Sequence, residues 1–176
     1  MKTIVDKTIV CGVHAAILLL AQGIIHGEIA SAARPEAADT RAELAAARKS
    51  TAKYHDIDAA YAAGFVDIDF ILEGVGCHLL NPGLLGDGKF EVEKPELLIY
   101  ADCTPGQGGR AELRAIEYIT LCGGPPTCTL PAPDGFTGDE DIWTPFTDGS
   151  LWTLHVWIWR HNPDGVFTKI NPRLLE

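Results

Sequence analysis

Between Ala111 and Leu121 the chain alternates. Leu113, Ala115, Ile119 and Leu121 fall on one side with Glu117 among them, and Glu112, Arg114, Ile116, Tyr118 and Thr120 fall on the other. A period of two is the mark of a β-strand. Trp152 to Arg160 repeats it, with Trp152, Leu154, Val156 and Ile158 opposite Thr153, His155, Trp157 and Trp159. Shorter runs, Phe65 to Leu72, Gly76 to Leu80 and Glu96 to Asp102, are separated by Asn81-Pro82-Gly83, by Gly86-Asp-Gly88 and by the stretch from Thr104 to Arg110. Such Gly- and Pro-bearing segments turn the chain, so these runs read as strands, with 96–102 and 111–121 paired as a hairpin.

Upstream the period changes. Leu44, Ala47, Thr51, Tyr54, Asp58, Tyr61 and Phe65 lie at helical spacing, and neither Gly nor Pro interrupts Ala42 to Ala63. Thr40-Arg-Ala-Glu43 has the form of a capping box, and Gly64 is a natural stop. One helix, or two broken near Ser50-Thr51, fits this stretch. Residues 123–150 are rich in Pro, Gly and Asp and read as a long loop, and Asn162-Pro-Asp-Gly165 turns the chain into a short segment from Val166 to Lys169. A helix followed by a run of strands predicts an α+β fold, with an N-terminal helix packed on a curved antiparallel β-sheet or partial barrel.

The first residues read differently. Lys2 and Lys7 precede a mostly apolar run, Ala15 to Ile25, and Ala30-Ser-Ala32 offers small residues for cleavage. This is the pattern of a secretory signal peptide over 1–32, leaving a single α+β domain over 33–176. The apolar run is short of the roughly 20 residues that a membrane span needs. The expected location is secreted or periplasmic, with no stable membrane association after cleavage. The formal charge is −10, and it is unchanged by cleavage because Lys2 and Lys7 balance Asp6 and Glu28. With no basic block, nucleic-acid binding has no electrostatic footprint.

Four cysteines follow the leader: Cys77, Cys103, Cys122 and Cys128. An even number in an exported chain favours two disulfides. The turn-rich loop between Cys122 and Cys128 lets its ends meet, which leaves Cys77 for Cys103. A four-cysteine zinc site lacks the Cys-x-x-Cys pairs such sites use.

Glu117 is the residue that the alternation singles out. A carboxylate on an apolar face is costly unless it is paired, protonated or bound to a cation. It is either a structural partner of an Arg or a site residue. His155 shares a face with two indoles and can be a packed histidine, an acid or base, or a metal ligand. His78 follows Cys77, so a Cys77–Cys103 bridge would fix it near the hairpin that carries Glu117. His78, Glu117 and His155 together form a set used for Zn²⁺, Mn²⁺ or Fe²⁺, although no compact metal-binding spacing is present. Glu96 is a further possible ligand, but a Glu after Pro95 at a strand start is expected to be solvated. His161 reads as a turn cap and His55 as exposed. Nucleophile-elbow, P-loop and dinucleotide-binding fingerprints are missing.

Several segments, taken in order, carry a resemblance: Lys53-Tyr-His-Asp56, Gly76-Cys-His-Leu-Leu-Asn81, Lys94-Pro-Glu-Leu-Leu-Ile-Tyr100, Ile116-Glu-Tyr118, and Leu154-His-Val-Trp-Ile-Trp-Arg-His-Asn-Pro163 with Asn171-Pro172 after it. Over residues 50–173 the chain resembles a group of exported, functionally uncharacterised microbial proteins. The resemblance implies no activity. It places His78, Glu96, Glu117, His155 and His161 within shared motifs. The chain departs from the pattern at Cys77 and Leu79, where a glycine and an aromatic usually flank the histidine.

The function expected from these residues is binding of a small molecule or a divalent metal ion in a pocket lined by His78, Glu117, His155 and aromatics. Trp157, Trp159 and Tyr118 would contact the ligand. The alternatives are an enzyme using Glu117 and His155 for acid–base or metal-assisted chemistry, as an isomerase, lyase or hydrolase, and an exported structural protein without a site.

Overall fold

The computed structural model describes residues 25–175, apart from 87 and 147, with side chains from residue 38 onward. Most of the expected signal segment, residues 1–24, lies outside the described residues. The chain divides into two compact units, residues 1–35 and 36–176. The first supplies the opening turns of helix α1 (Ile25–Thr51), and the second holds every other element. Among the described residues no helix is long and apolar enough to cross a membrane.

After α1 come a 3-10 turn, Ala52–His55, and helix α2 (Ile57–Ala62). The break near Thr51 agrees with the two-helix alternative. Asp56 starts α2 by accepting a hydrogen bond from the Asp58 N–H, the usual service of an N-cap carboxylate. Gly64, at φ +92°, follows the last turn. The Thr40–Glu43 pair does not cap a helix, because α1 is already running when it reaches Thr40. Both side chains bind the long loop instead. The Thr40 hydroxyl donates to the Thr137 carbonyl, and the Thr137 N–H donates to Glu43 Oε2 at 2.8 Å.

Six strands follow: β1 (Val66–Leu72), β2 (Gly76–Leu80), β3 (Leu97–Tyr100), β4 (Leu113–Leu121), β5 (Thr144–Pro145) and β6 (Leu151–Val156), with a short helix α3 (Pro82–Leu85) after β2. They form one open antiparallel sheet in the order β1-β2-β3-β4-β6-β5. The protein is therefore α+β, and the sheet does not close into a barrel. The long loop is not wholly irregular, since its Thr144–Pro145 pairs with β6. Val166 to Lys169 forms turns and no strand.

Both faces of the central strands are buried, and this is unusual for an antiparallel sheet, which commonly leaves one face to water. One face carries Leu79, Leu98, Tyr100, Ile116, Tyr118, Leu154 and Val156, in a core that also contains Ala47, Ile57, Ala60 and Phe65. The other face carries a smaller cluster of Val75, Ile99, Ala115 and Trp157, with Leu72, Ile170 and Leu174 packed against it. Two buried asparagines hold the C-terminal segment there. The Asn171 N–H donates to the Gly74 carbonyl at 2.9 Å, and Asn162 Nδ2 donates to the Ile170 carbonyl at 3.0 Å.

Two departures from simple alternation follow from hydrogen bonding. The β3–β4 register shifts between Ile99 and Tyr100, so Leu113 pairs with Tyr100 and joins the larger core rather than the Glu117 face. The Arg114 carbonyl at that bulge accepts the Arg160 N–H at 2.8 Å and the Trp159 N–H at 3.3 Å. The last strand therefore ends at Val156, four residues before the pattern predicted, and Trp159 turns to the larger core. There its indole lies edge-on to His55 and beneath Arg48.

The disulfides are Cys77–Cys103 and Cys122–Cys128, and two such bonds point to an oxidising, exported environment. They close separations of 26 and 6 residues, for which chain entropy alone gives roughly 3.5 and 2 kcal/mol. Replacing Cys77 and Cys103 together by Ser should lower Tm by about 10 °C, and replacing Cys122 and Cys128 should lower it less. Differential scanning calorimetry of both pairs checks this, and unchanged melting in either would remove that bridge from the stability account.

Candidate metal centre

The register brings the three singled-out residues together. Glu117 on β4 stands directly opposite His155 on β6 and Leu97 on β3. His78 on β2 is aligned with Ile99, one side-chain step along the same face. It reaches over β3, a span of two strand spacings or about 9.5 Å. His78 Nε2 lies 3.6 Å from Glu117 Oε2, and His155 Nε2 lies 3.7 Å from Glu117 Oε1. The three residues are 1%, 5% and 4% exposed for His78, Glu117 and His155.

The ring of His78 is oriented by a fault in β1. Between Asp67 and Ile71 that strand carries two residues more than its partner does between Leu79 and Cys77. Asp69 there takes φ +53°, and its N–H is held by the Asp67 carboxylate at 2.9 Å. The bulge turns the Phe70 carbonyl out of the ladder and onto His78 Nδ1, at 3.0 Å. A carbonyl only accepts, so Nδ1 carries the proton and Nε2 presents a bare lone pair to Glu117. Metal-binding histidines are commonly held in this way, with the far ring nitrogen donating to a carbonyl. At the other end of β2, Gly76 takes φ +143°, and a Cβ on it would meet the Tyr100 carbonyl oxygen at 2.2 Å.

The contacts to Glu117 are too long for hydrogen bonds, and among the described residues His78 Nε2 and His155 Nε2 have no hydrogen-bond partner. Nor are they ion pairs at neutral pH. Burial pushes Glu117 up to about 8, with Glu96 adding to the shift and Lys169 opposing it. Burial pushes His155 down to about 3, aided by the charges of His78 and Lys169. Burial also lowers His78, against its hydrogen bond to Phe70. Burial therefore favours the neutral forms of all three groups, a carboxylic acid between two imidazoles.

This arrangement suits a divalent cation. One ligand atom from each residue lies within 4.8 Å of the others. The 3.6 and 3.7 Å separations run to different Glu117 oxygens, so the two imidazoles flank the carboxyl group, and closing on one ion draws them toward the roughly 3.4 Å spacing of tetrahedral ligands. A cation would also supply the partner that the two imidazole nitrogens lack, and the charge that keeps a buried carboxylate ionised.

Beside the cluster is a cavity of about 270 Å³, bordered by His78 and Glu117. Leu80, Ile119 and Thr153 line it, each two residues along a strand from one of the three. Ile68 and Phe70 of β1 and Phe146 of the long loop complete much of the wall. The residues expected to contact a ligand lie elsewhere. Tyr118 is on the opposite face, its hydroxyl donating to the Val92 carbonyl at 2.6 Å. Trp159 packs with the larger core, and Trp157 belongs to the small cluster on the site face, its indole donating to the Thr168 carbonyl at 2.6 Å. None of the three lines the cavity.

Of the arginines that could have paired with Glu117, Arg114 approaches Glu112 instead, at 3.7 Å, and Arg160 joins it there at 3.1 Å. Glu96 is buried rather than solvated, and Glu96 Oε2 accepts the Ile119 N–H at 3.1 Å. It takes up a backbone donor of β4 beyond the point where β3 begins. His161 is exposed, and its carbonyl accepts from Asn171 Nδ2. The residues missed were Phe70, Phe146 and Ile68. For Leu80, Ile119 and Thr153 a signal existed, since each sits two positions from a candidate ligand. The β1 bulge left none.

Compared with family models, with curated proteins and with solved structures, the chain finds no match.

The pKa directions fix how the metal-free protein responds to pH. Glu117 titrates higher in the folded state than its ordinary 4.5. Its contribution is therefore full below pH 4.5 and is lost as pH rises through about 8. The histidines titrate lower than 6.5, so theirs is present above pH 6.5 and lost as pH falls. Glu117→Gln removes only the first effect. In a chelator, the variant should gain stability over the native chain progressively between pH 5 and 9, by about 5 kcal/mol at most. Urea denaturation across that range checks this, and a difference that stays constant with pH would contradict it.

Proposed function

We propose that the protein is a secreted or periplasmic metal-binding domain, with His78 Nε2, His155 Nε2 and one Glu117 oxygen as ligands to a divalent transition-metal ion. One observation carries the reading: two buried imidazole nitrogens, without hydrogen-bond partners among the described residues, converge on a buried carboxyl group. Neutral imidazole and carboxylate suit Zn²⁺ first, and Fe²⁺ or Mn²⁺ with the same set. Among the described residues the group has three members. Structural zinc sites close with four protein ligands, and catalytic sites keep a position for water or substrate. The cavity lies where such a position is useful.

That same cavity supports a second reading, in which the site is an enzyme's. A metal ion at an open position polarises a carbonyl or activates water, and hydrolysis is the simplest reaction of this kind. Without an ion, a Glu117 that titrates at about 8 can hold or give up a proton near neutral pH. It would then act as acid or base in an isomerisation or elimination, with His155 as its counterpart.

The test is metal content of the full chain, purified at pH 8 from the compartment where its disulfides form. The expected result is close to one ion per chain, lost in His155→Ala and in Glu117→Gln while the circular dichroism spectrum is kept. Native protein that holds no ion after dialysis against equimolar Zn²⁺, Fe²⁺ or Mn²⁺ would overturn the metal reading. Coordination also requires Glu117 to lose its proton, so affinity should rise about tenfold per pH unit up to about 8 and then level off. Calorimetric titrations with Zn²⁺ at pH 6, 7 and 8.5 measure that slope, and a flat profile would remove Glu117 from the ligand set.

A further inference from the structure

We infer that the site takes a small monocarboxylate, its head on the metal ion and its hydrocarbon tail in the adjoining cavity. This rests on the metal reading above. The size of the ligand follows from the cavity. An engineered apolar cavity of 150 Å³ accepts benzene, and this one holds about 270 Å³, which leaves room for a tail of about six carbons or one ring with a short linker. Its polarity follows from the wall. Ile68, Phe70, Leu85, Leu97, Ile119 and Phe146 are apolar. Thr153, the remaining polar residue besides His78 and Glu117, has its hydroxyl engaged by Thr144 Oγ1 at 3.1 Å. A second polar group on the tail would go unpaired, at a cost.

The charge of the head follows from the ligand set. A divalent ion held by one carboxylate and two neutral imidazoles keeps one net positive charge in a buried place. One anionic donor neutralises it, and buried charge is tolerated only when it is balanced. Ile68 and Phe146 are partly exposed, at 39% and 37%, so the way in is apolar too. Sites for small ligands commonly combine such walls with a few convergent polar atoms.

Cobalt-loaded full chain provides a readout, because the visible spectrum of Co²⁺ responds to a new ligand. Acetate, butanoate, hexanoate, 3-phenylpropanoate and hexanedioate are titrated against it. Affinity should rise about fourfold per methylene from acetate to hexanoate. Hexanedioate should bind at least 100-fold more weakly than hexanoate, and Leu85→Trp should cut the preference for hexanoate over acetate at least tenfold. Comparison of hexanoate with 3-phenylpropanoate tells an aliphatic from an aryl tail. Cobalt uptake with no spectral response to any carboxylate, equal affinity for acetate and hexanoate, or equal affinity for hexanoate and hexanedioate would each overturn the carboxylate inference while leaving the metal reading in place. Failure of the native chain to take up cobalt would overturn both.

Discussion

A carboxyl group sits in the middle of a sheet that is covered on both sides, and most of the local structure answers to it. Glu117 has strands paired to β4 on either side, the larger core beyond one face and the cavity wall of β1 and the long loop beyond the other. Its side chain is almost wholly buried at the border of the cavity, and the nearby Arg114 is turned toward Glu112. In the metal-free protein the group stays protonated at neutral pH, because keeping an unpaired carboxylate there costs more than holding a proton. An ion bound there, as proposed, would have to displace that proton, and the cost of doing so would fall on every cation that enters.

The two histidines are placed by different devices. His155 comes with the register, directly across from Glu117. His78 needs more. Its neighbour Cys77 points to the opposite face and is bonded to Cys103, so one residue ties β2 to the core while the next turns to the site. The β1 bulge then supplies the Phe70 carbonyl that fixes the imidazole tautomer. Covalent closure on one face and ring orientation on the other therefore act on adjacent residues of one five-residue strand.

Much of this was legible from period-two alternation. It locates β4 and β6, sets Glu117 apart from its apolar neighbours and puts His155 on a strand, while the turn at Asn81-Pro82-Gly83 marks the end of β2. It fails where hydrogen bonds break the period. The Arg114 bulge moves Leu113 to the other core, and with the chain bending onto the Arg114 carbonyl, Trp159 leaves the face that strict alternation assigns to it. Glu96 looked like a solvated residue at a strand start because nothing local shows that β4 leaves a donor there for it. Thr40 and Glu43 form a capping pattern whose hydrogen bonds go to a residue more than ninety positions away. The cavity wall depends on β1 and the long loop meeting across the sheet, and pattern within either segment carries no trace of that meeting.

The burial of the ligand atoms also bears on the entry of an ion. A hydrated divalent ion is large, and it must shed most of its water to pass an apolar wall of Ile68, Phe70 and Phe146. Folding of the sheet and closure of Cys77–Cys103 fix the wall that an entering ion has to cross. For the proposed metal site, the apolar wall would therefore set the cost of shedding water against the gain in coordination and favour cations that dehydrate readily.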